Sequence, residues 1–138
     1  MTITVHTDGA SRGNPGAASV AYVITGLGSE PVEYHQAIGL FSNNQAEYRA
    51  LIAALEFLVR EGVKDSAVYL YSDSELLVRQ MLGEYRVKNA ELQAVFAQAK
   101  QLSRVLEEAR NRLTFRAVRR EQNRRADWLA NRALEEQK

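Results

Sequence analysis

The hydrophobic period of this chain changes near residue 42, and that change limits the folds that the chain can adopt. Before it, three apolar β-type runs lie at residues 2–8, 17–25 and 32–41, with short segments rich in Gly and Ser between them. Runs spaced so closely pair as an antiparallel meander. After it, apolar residues recur at helical spacing as far as a glycine at position 62.

The second half alternates between the two periods. Strands are predicted at 66–72 and 112–118, and helices at 75–82, around 92–106 and from Asn123 to the C-terminus. The order βββαβααβα predicts an α/β fold: a mixed five-stranded sheet, three meander strands followed by parallel strands, flanked by helices. A length of 138 residues suits a single domain, 1–138.

Composition excludes several classes of protein. The chain has no cysteine, so a disulfide scaffold and cysteine-rich zinc sites are ruled out. No stretch of about 20 apolar residues exists and no signal peptide is evident, so we expect no membrane span and a cytoplasmic location. The net charge is only +1, yet nine of the fourteen arginines lie between Arg104 and Arg132. They form either a solvated helix face or a surface that contacts phosphate.

Four carboxylates lie where predicted elements begin or end. Asp8 and Asp73 end the first and fourth strands, while Glu47 and Asp127 lie in the first turns of two helices. Each has an ordinary structural explanation when taken alone. Acids at strand ends form turns, and acids at helix starts cap the helix or interact favourably with its dipole.

Taken together, the four acids indicate a metal site. The predicted sheet can place the first and fourth strands side by side, and converging carboxylates repel one another unless a cation joins them. Mg²⁺ takes oxygen ligands, and two such ions about 4 Å apart can hold the attacking and leaving oxygens of a phosphoryl transfer. The chain has no nucleophile elbow or phosphate-loop motif as a rival apparatus.

Four segments, in this order and spacing, resemble ribonuclease H type 1: TDGASRGNPG, NNQAEYRAL, YSDSELLVRQM and NRRADWLAN. The resemblance runs from Ile3 to about Leu134 and implies the ribonuclease H-like fold. It also implies an endoribonuclease that hydrolyses the RNA strand of RNA–DNA hybrids and leaves 5′-phosphate and 3′-hydroxyl ends. By motif, two Mg²⁺ ions (or Mn²⁺ as a substitute) would be bound by Asp8, Glu47, Asp73 and Asp127.

The resemblance also implies contacts with the substrate. The backbone of Gly9 and the amides of Asn43 and Asn44 match positions that contact 2′-hydroxyl groups, the feature that separates RNA from DNA. Ser42 and Asn14 match positions that hold a phosphate of the DNA strand. The asparagines also suit a turn and a helix cap, and both roles are compatible.

The chain departs from the family pattern between its second and third helices. Only GEYRVKN joins Leu82 to Ala90, where well-known members carry a basic protrusion that grips the hybrid. In lacking the protrusion, the chain resembles the shorter subgroup of the family that is found among bacteria and archaea. Lost phosphate contacts should weaken binding and flatten its salt dependence, unless the arginine cluster, a partner or an extra domain replaces them.

Other departures concern single residues. The loop before the last acid reads RREQN and lacks the usual histidine, and we prefer Arg120 over Arg119 as its replacement. His6 is expected to be a core or near-core residue rather than a catalytic one. Glu75 replaces a glutamine and is interpreted as a helix N-terminal acid, with its substrate role left open. Trp128 is expected to pack rather than to stack on bases.

Two rival functions stay open from the sequence alone. One is a non-catalytic module that binds RNA–DNA hybrid or duplex RNA, which would be expected to lose an acid. The other is a DNA recombination nuclease of the wider ribonuclease H-like fold, against which the asparagine pair before Glu47 argues. We expect a monomer that acts on an RNA–DNA hybrid and does not associate with a membrane.

Overall fold

The computed structural model describes residues 1–136, which form one mixed sheet with helices on both faces. The strands are β1 (Thr2–Ser11), β2 (Gly16–Thr25), β3 (Val32–Phe41), β4 (Ala67–Ser72) and β5 (Arg112–Ala117). The helices are α1 (Asn43–Arg60), α2 (Glu75–Met81), α3 (Ala90–Glu108) and α4 (Arg124–Glu136), with a 3-10 helix at Arg120–Gln122. This is the predicted order of elements. The last two residues, which the sequence placed in the final helix, lie outside the described part of the chain.

The sheet has the strand order β3-β2-β1-β4-β5. The β1–β2 and β2–β3 pairs are antiparallel, and the β1–β4 and β4–β5 pairs are parallel. The mixed sheet predicted from the sequence is therefore confirmed, and the first and fourth strands are neighbours.

The two faces of the sheet are covered differently. On one face, Val5 and Leu70 pack with residues of α1, α2 and α3 in the larger hydrophobic core. On the other face, α4 packs over β1, β2 and β3. Its Leu129 and Ala130 meet Ala21 and Val23 in a smaller cluster. Within residues 1–136, no helix is both long and apolar enough to cross a membrane.

The first strand is longer than predicted. The sequence predicts that this strand ends at Asp8 and that residues 9–16 form a loop, whereas β1 continues to Ser11. The reason is that β1 pairs with β2 over more residues than it pairs with β4. Its parallel pairing with β4 stops at Thr7, but its antiparallel pairing with β2 continues to the pair Ser11 and Ala18.

The helix caps also differ from expectation. Helix α1 is capped by Ser42, whose hydroxyl accepts from the backbone N–H of Gln45 at 3.2 Å while the Gln45 side chain accepts from the Ser42 N–H. Glu47 therefore lies just past the first turn. Helix α2 is capped by Ser74 rather than by Asp73. The capping explanations for these two acids are wrong, which leaves their carboxylates free for another role.

Candidate active site

Two aspartates lie where β1 and β4 separate. The last parallel pair between these strands is Thr7 and Ser72, and the next residue on each strand is Asp8 or Asp73. Asp8 is only 4% exposed, since β1 continues beyond it against β2. The end of the parallel pairing thus brings the two carboxylates to the same edge of the sheet.

Glu47 reaches this edge because α1 lies against Gly9. The Gly9 N–H donates to Oε1 of Glu47 at 2.7 Å. A Cβ atom at position 9 would overlap the backbone of Ala46 and the backbone nitrogen of Glu47. The close approach therefore requires glycine at this position.

The three acids form a tight group. Carboxylate oxygens of Asp8, Glu47 and Asp73 all lie within 4.8 Å of one another. Asp127, in the first turn of α4, lies near enough for its charge to raise the pKa of Asp8. All four line one cleft of about 310 Å³. The structure brings together the four carboxylates predicted from the sequence.

The carboxylates of the cluster are close enough to raise one another's pKa values. Burial raises the pKa of Asp8 to about 8, with further contributions from the charges of Asp73 and Asp127. Burial and the charges of Asp8 and Asp73 also raise the pKa of Glu47 well above its usual range. The Gly9 N–H and the Arg120 guanidinium oppose these shifts but do not cancel them.

The donor set suits a hard divalent cation. It consists of carboxylate oxygens, which Mg²⁺ prefers, and no cysteine exists in the chain. A bound cation would relieve the mutual repulsion that raises these pKa values. The residues present therefore fit the metal site that the sequence predicts.

Two side chains, those of Arg120 and Asn131, lie against the Asp127 carboxylate. The Arg120 Nε atom lies 4.0 Å from Oδ1 of Asp127, and Arg120 lines the cleft from the 3-10 helix. Asn131 donates to the Asp127 backbone oxygen at 2.9 Å and to Oδ1 at 3.4 Å. Asn131 also lines the cleft but was missed in the sequence analysis. Its position four residues after Asp127, on the same helix face, was the available signal.

The predicted substrate residues divide into two groups. Gly9 and Asn43 line the cleft, although the Gly9 N–H is already bonded to Glu47. Asn14, Ser42 and Asn44 do not line it. Asn14 accepts from the Asn43 backbone N–H at 3.3 Å, so it joins the β1–β2 connection to the start of α1.

The remaining single-residue expectations have mixed outcomes. Glu75 lies in the first turn of α2 and accepts from Arg79 at 2.8 Å, as a helix acid would. Trp128 does not pack inside: it is 51% exposed, with the Arg125 guanidinium 4.6 Å from its ring centroid. That expectation was wrong because Trp128 lies on the outer side of α4.

Four of the nine arginines in the cluster form ion pairs within the described residues. Arg110 pairs with Asp65 at 2.5 Å, and Arg125 pairs with Glu33 at 2.7 Å. Arg120 is the arginine of this cluster that lines the cleft in the described part of the chain. The cluster as a whole therefore does not form one surface at the candidate site.

Comparison with known proteins supports the family suggested by the four segments. A family model described as reverse transcriptase-like matches residues 6–133. The structure of LC11-RNase H1 in complex with an RNA/DNA hybrid is 41% identical, covers 97% of each chain and superposes with a TM-score of 0.89. This chain belongs to the type 1 ribonuclease H family.

Other members of the ribonuclease H family are similar over most of this chain. Ribonuclease HI of Halobacterium salinarum is 40% identical over 94% of the chain and 62% of its own length. The crystal structure of RNase H1 from that archaeon has a TM-score of 0.88 and covers 99% of each chain. The bifunctional protein Rv2228c of Mycobacterium tuberculosis is 39% identical over 98% of the chain. The chain spans only 36% of the length of that mycobacterial relative.

The connector between α2 and α3 is short, as the sequence predicts. Residues 82–89 contain no helix, and Tyr85, which is 48% exposed, lies 5.3 Å from the Arg79 guanidinium. Residues 82–89 thus form a short loop between the two helices.

Proposed function

We propose that this chain is an endoribonuclease that hydrolyses the RNA strand of RNA–DNA hybrids with the help of divalent metal ions. The observation that carries the proposal is a group of three close carboxylates, buried Asp8 with half-buried Glu47 and Asp73, in an open cleft at the edge of a ribonuclease H sheet. A similar chain that has been solved in complex with an RNA/DNA hybrid supports the substrate class.

The four acids would hold two metal ions. Asp8 is close to Glu47 and Asp73, and Asp127 also acts on its charge, so Asp8 would be the acid shared by both metal ions. Bound Mg²⁺, or Mn²⁺ as a substitute, supplies positive charge at the scissile phosphate and activates the attacking water. The expected products carry 5′-phosphate and 3′-hydroxyl ends.

Other residues of the cleft would bind and orient the RNA strand. The Asn43 amide offers both a donor and an acceptor, which suits a 2′-hydroxyl group. Arg120 supplies a fixed positive charge beside Asp127 and takes the place of the missing histidine. Asn131 holds the Asp127 carboxylate in orientation through its amide.

A cleavage assay tests the function. An RNA–DNA hybrid with end-labelled RNA is incubated with wild type and with Asp8→Asn, in Mg²⁺ or Mn²⁺, beside matched all-DNA and all-RNA duplexes. We expect cleavage of the hybrid's RNA strand by the wild type alone. Cleavage of all-DNA duplex would favour the recombination nuclease. Hybrid binding without cleavage in either metal would favour the non-catalytic binding module.

Three further expectations from the sequence stay predictions. They are a single domain over 1–138, a monomeric state and a cytoplasmic location. Because the mycobacterial relative is much longer than this chain, an additional domain or partner that helps to hold the hybrid also belongs to the proposal.

A further inference from the structure

Half of one sheet face carries no helix. Helices α2 and α3 pack on the same side as α1, because Val78 and Val95 share a core with Val68 and Leu70. Helix α4 lies on the opposite side, over β1, β2 and β3. Within residues 1–136, no helix covers β4 and β5 on that opposite side. The uncovered region also includes the side of β1 next to β4, at Thr4 and His6.

The register of the strands assigns seven residues to this region. Two rows of three residues run across β1, β4 and β5, and in each row the residues are direct neighbours in the register. Arg112 lies outside these rows, two residues before Thr114 on the same face of β5. We refer to these residues as the bare sheet face: Thr4, His6, Tyr69, Tyr71, Arg112, Thr114 and Arg116.

The bare sheet face combines aromatic rings with positive charge. The rings of His6 and Tyr71 stack with centroids 5.0 Å apart and 29° between their planes. The rings of His6, Tyr69 and Tyr71 are partly exposed, and the two arginines at the outer edge of the face are exposed. The face contains no carboxylate, and neither Arg112 nor Arg116 forms an ion pair within the described residues.

This chemistry suits unpaired bases joined by phosphates. Tyr69 and Tyr71 are alternate residues of one parallel strand, about 6.6 Å apart, so each tyrosine can offer a ring face to a different base. Aromatic side chains on the central strands of an open sheet stack single-stranded bases. Such stacking tolerates any base sequence, while arginines bind the phosphates. A duplex offers no free base faces for this purpose.

We propose that the bare sheet face binds single-stranded nucleic acid, with bases stacked on His6, Tyr69 and Tyr71 and phosphates held by Arg112 and Arg116. The face lies beside the carboxylate cleft, because His6 and Tyr71 each precede a cleft aspartate by two residues. A groove of about 340 Å³ between His6 and the start of α4 borders it. The proposal does not depend on hybrid cleavage.

The first test measures binding of fluorescein-labelled 12-nucleotide RNA and DNA of one sequence by fluorescence anisotropy, in EDTA so that nothing is cleaved. We expect wild type to bind the single strands, and Tyr69→Ala/Tyr71→Ala to bind them at least about tenfold more weakly. Tyr69→Phe/Tyr71→Phe keeps both rings and should retain binding. Tyr34→Ala, which removes an exposed tyrosine from β3, is the matched control and should bind like wild type.

The RNA and DNA probes identify the preferred strand. Equal affinity supports recognition by stacking and phosphate contacts alone. Tighter binding of RNA supports an added contact between a 2′-hydroxyl group and the face. Wild type that binds neither single strand overturns the proposal.

The second test uses the exposed arginines, whose replacement leaves the core intact. For Arg112→Gln/Arg116→Gln we expect the slope of log affinity against log salt to fall by about 1.4, the value for two lost phosphate contacts on a single strand. Unchanged single-strand affinity in both double variants, with wild-type melting temperatures, would overturn the proposal. Both variants should still cleave a blunt RNA–DNA hybrid. If wild type fails to cleave but these variants lose single-strand binding, the proposed function fails and the bare-face proposal holds.

Discussion

Gly9 controls whether Glu47 can join the other acids. A methyl group there would overlap the backbone of α1 at Ala46, so Gly9→Ala must push α1 away from β1. We expect a loss of at least about 2 kcal/mol in the free energy of unfolding and a large drop in hybrid cleavage. Gly28→Ala is the control, since a Cβ there meets no atom within 4 Å. Wild-type stability of Gly9→Ala in urea denaturation would contradict the packing argument.

Asp8 gives the metal-free protein a predictable dependence on pH. Its pKa is raised from 3.8 to about 8 on folding, so the folded state holds an extra proton between these values. Stability therefore falls as pH rises through this window, and the loss is complete above about 8. In EDTA, we expect Asp8→Asn to melt higher than wild type by an amount that grows from pH 4 to pH 8.

Asp65→Asn serves as the control for that measurement. Arg110 lowers the pKa of Asp65, so this substitution should destabilise rather than stabilise at neutral pH. A melting difference between wild type and Asp8→Asn that stays constant with pH would show that Asp8 does not titrate in this window.

Arg120 is expected to act on turnover more than on binding. Its guanidinium faces Asp127 in the cleft, where it would stand beside the scissile phosphate. We expect Arg120→Ala to lower kcat for hybrid cleavage by roughly tenfold or more with a smaller change in KM. Arg119→Ala, one residue earlier and outside the cleft lining, is the matched control. Equal turnover of the two variants would remove Arg120 from the mechanism.

At the scale of elements, the start of α1 combines a structural and a binding role at Ser42. The Ser42 hydroxyl caps α1, and the family resemblance also assigns it a phosphate contact. Aspartate caps a helix as well as serine does but repels phosphate. We therefore expect Ser42→Asp to keep the melting temperature and to raise KM for the hybrid. Ser42→Ala should instead lose about 1 kcal/mol of stability. A wild-type KM for Ser42→Asp would exclude the phosphate contact.

The lengths of β1 and β4 explain why the site forms at one edge of the sheet. The β1–β4 pairing ends one residue before Asp8 and Asp73, while β2 still supports β1 beyond that point. Asp8 is therefore held on a rigid strand and Asp73 directly follows one, and both line the open cleft. Sites built in this way keep their geometry without a ligand.

At the scale of the whole molecule, metal binding should stabilise the fold. The four acids come from β1, α1, the end of β4 and α4, so a cation that joins them links elements distant in sequence. A ligand that binds only the folded state raises stability with its concentration. We expect Mg²⁺ or Mn²⁺ to raise the melting temperature of wild type progressively. Asp73→Asn should reduce this rise, and an equal rise in the variant would argue against a metal site at these residues.

Much of the fold and the acid set followed from the sequence. The order of elements was predictable because hydrophobic period and turn residues are local signals. The end of β1 was not, because it depends on how far β2 extends alongside it. Asn131 was missed because its role requires knowing which side of α4 faces the cleft.

The sequence by itself determined the element order, the mixed sheet and the four carboxylates, since each is carried by spacing along the chain. Only the tertiary structure decided that Asp8 is buried with a raised pKa, that Gly9 must lack a side chain, and that Trp128 is exposed. It also decided that half of one sheet face is bare. These properties depend on which surfaces meet across the fold, and distance along the chain does not encode that.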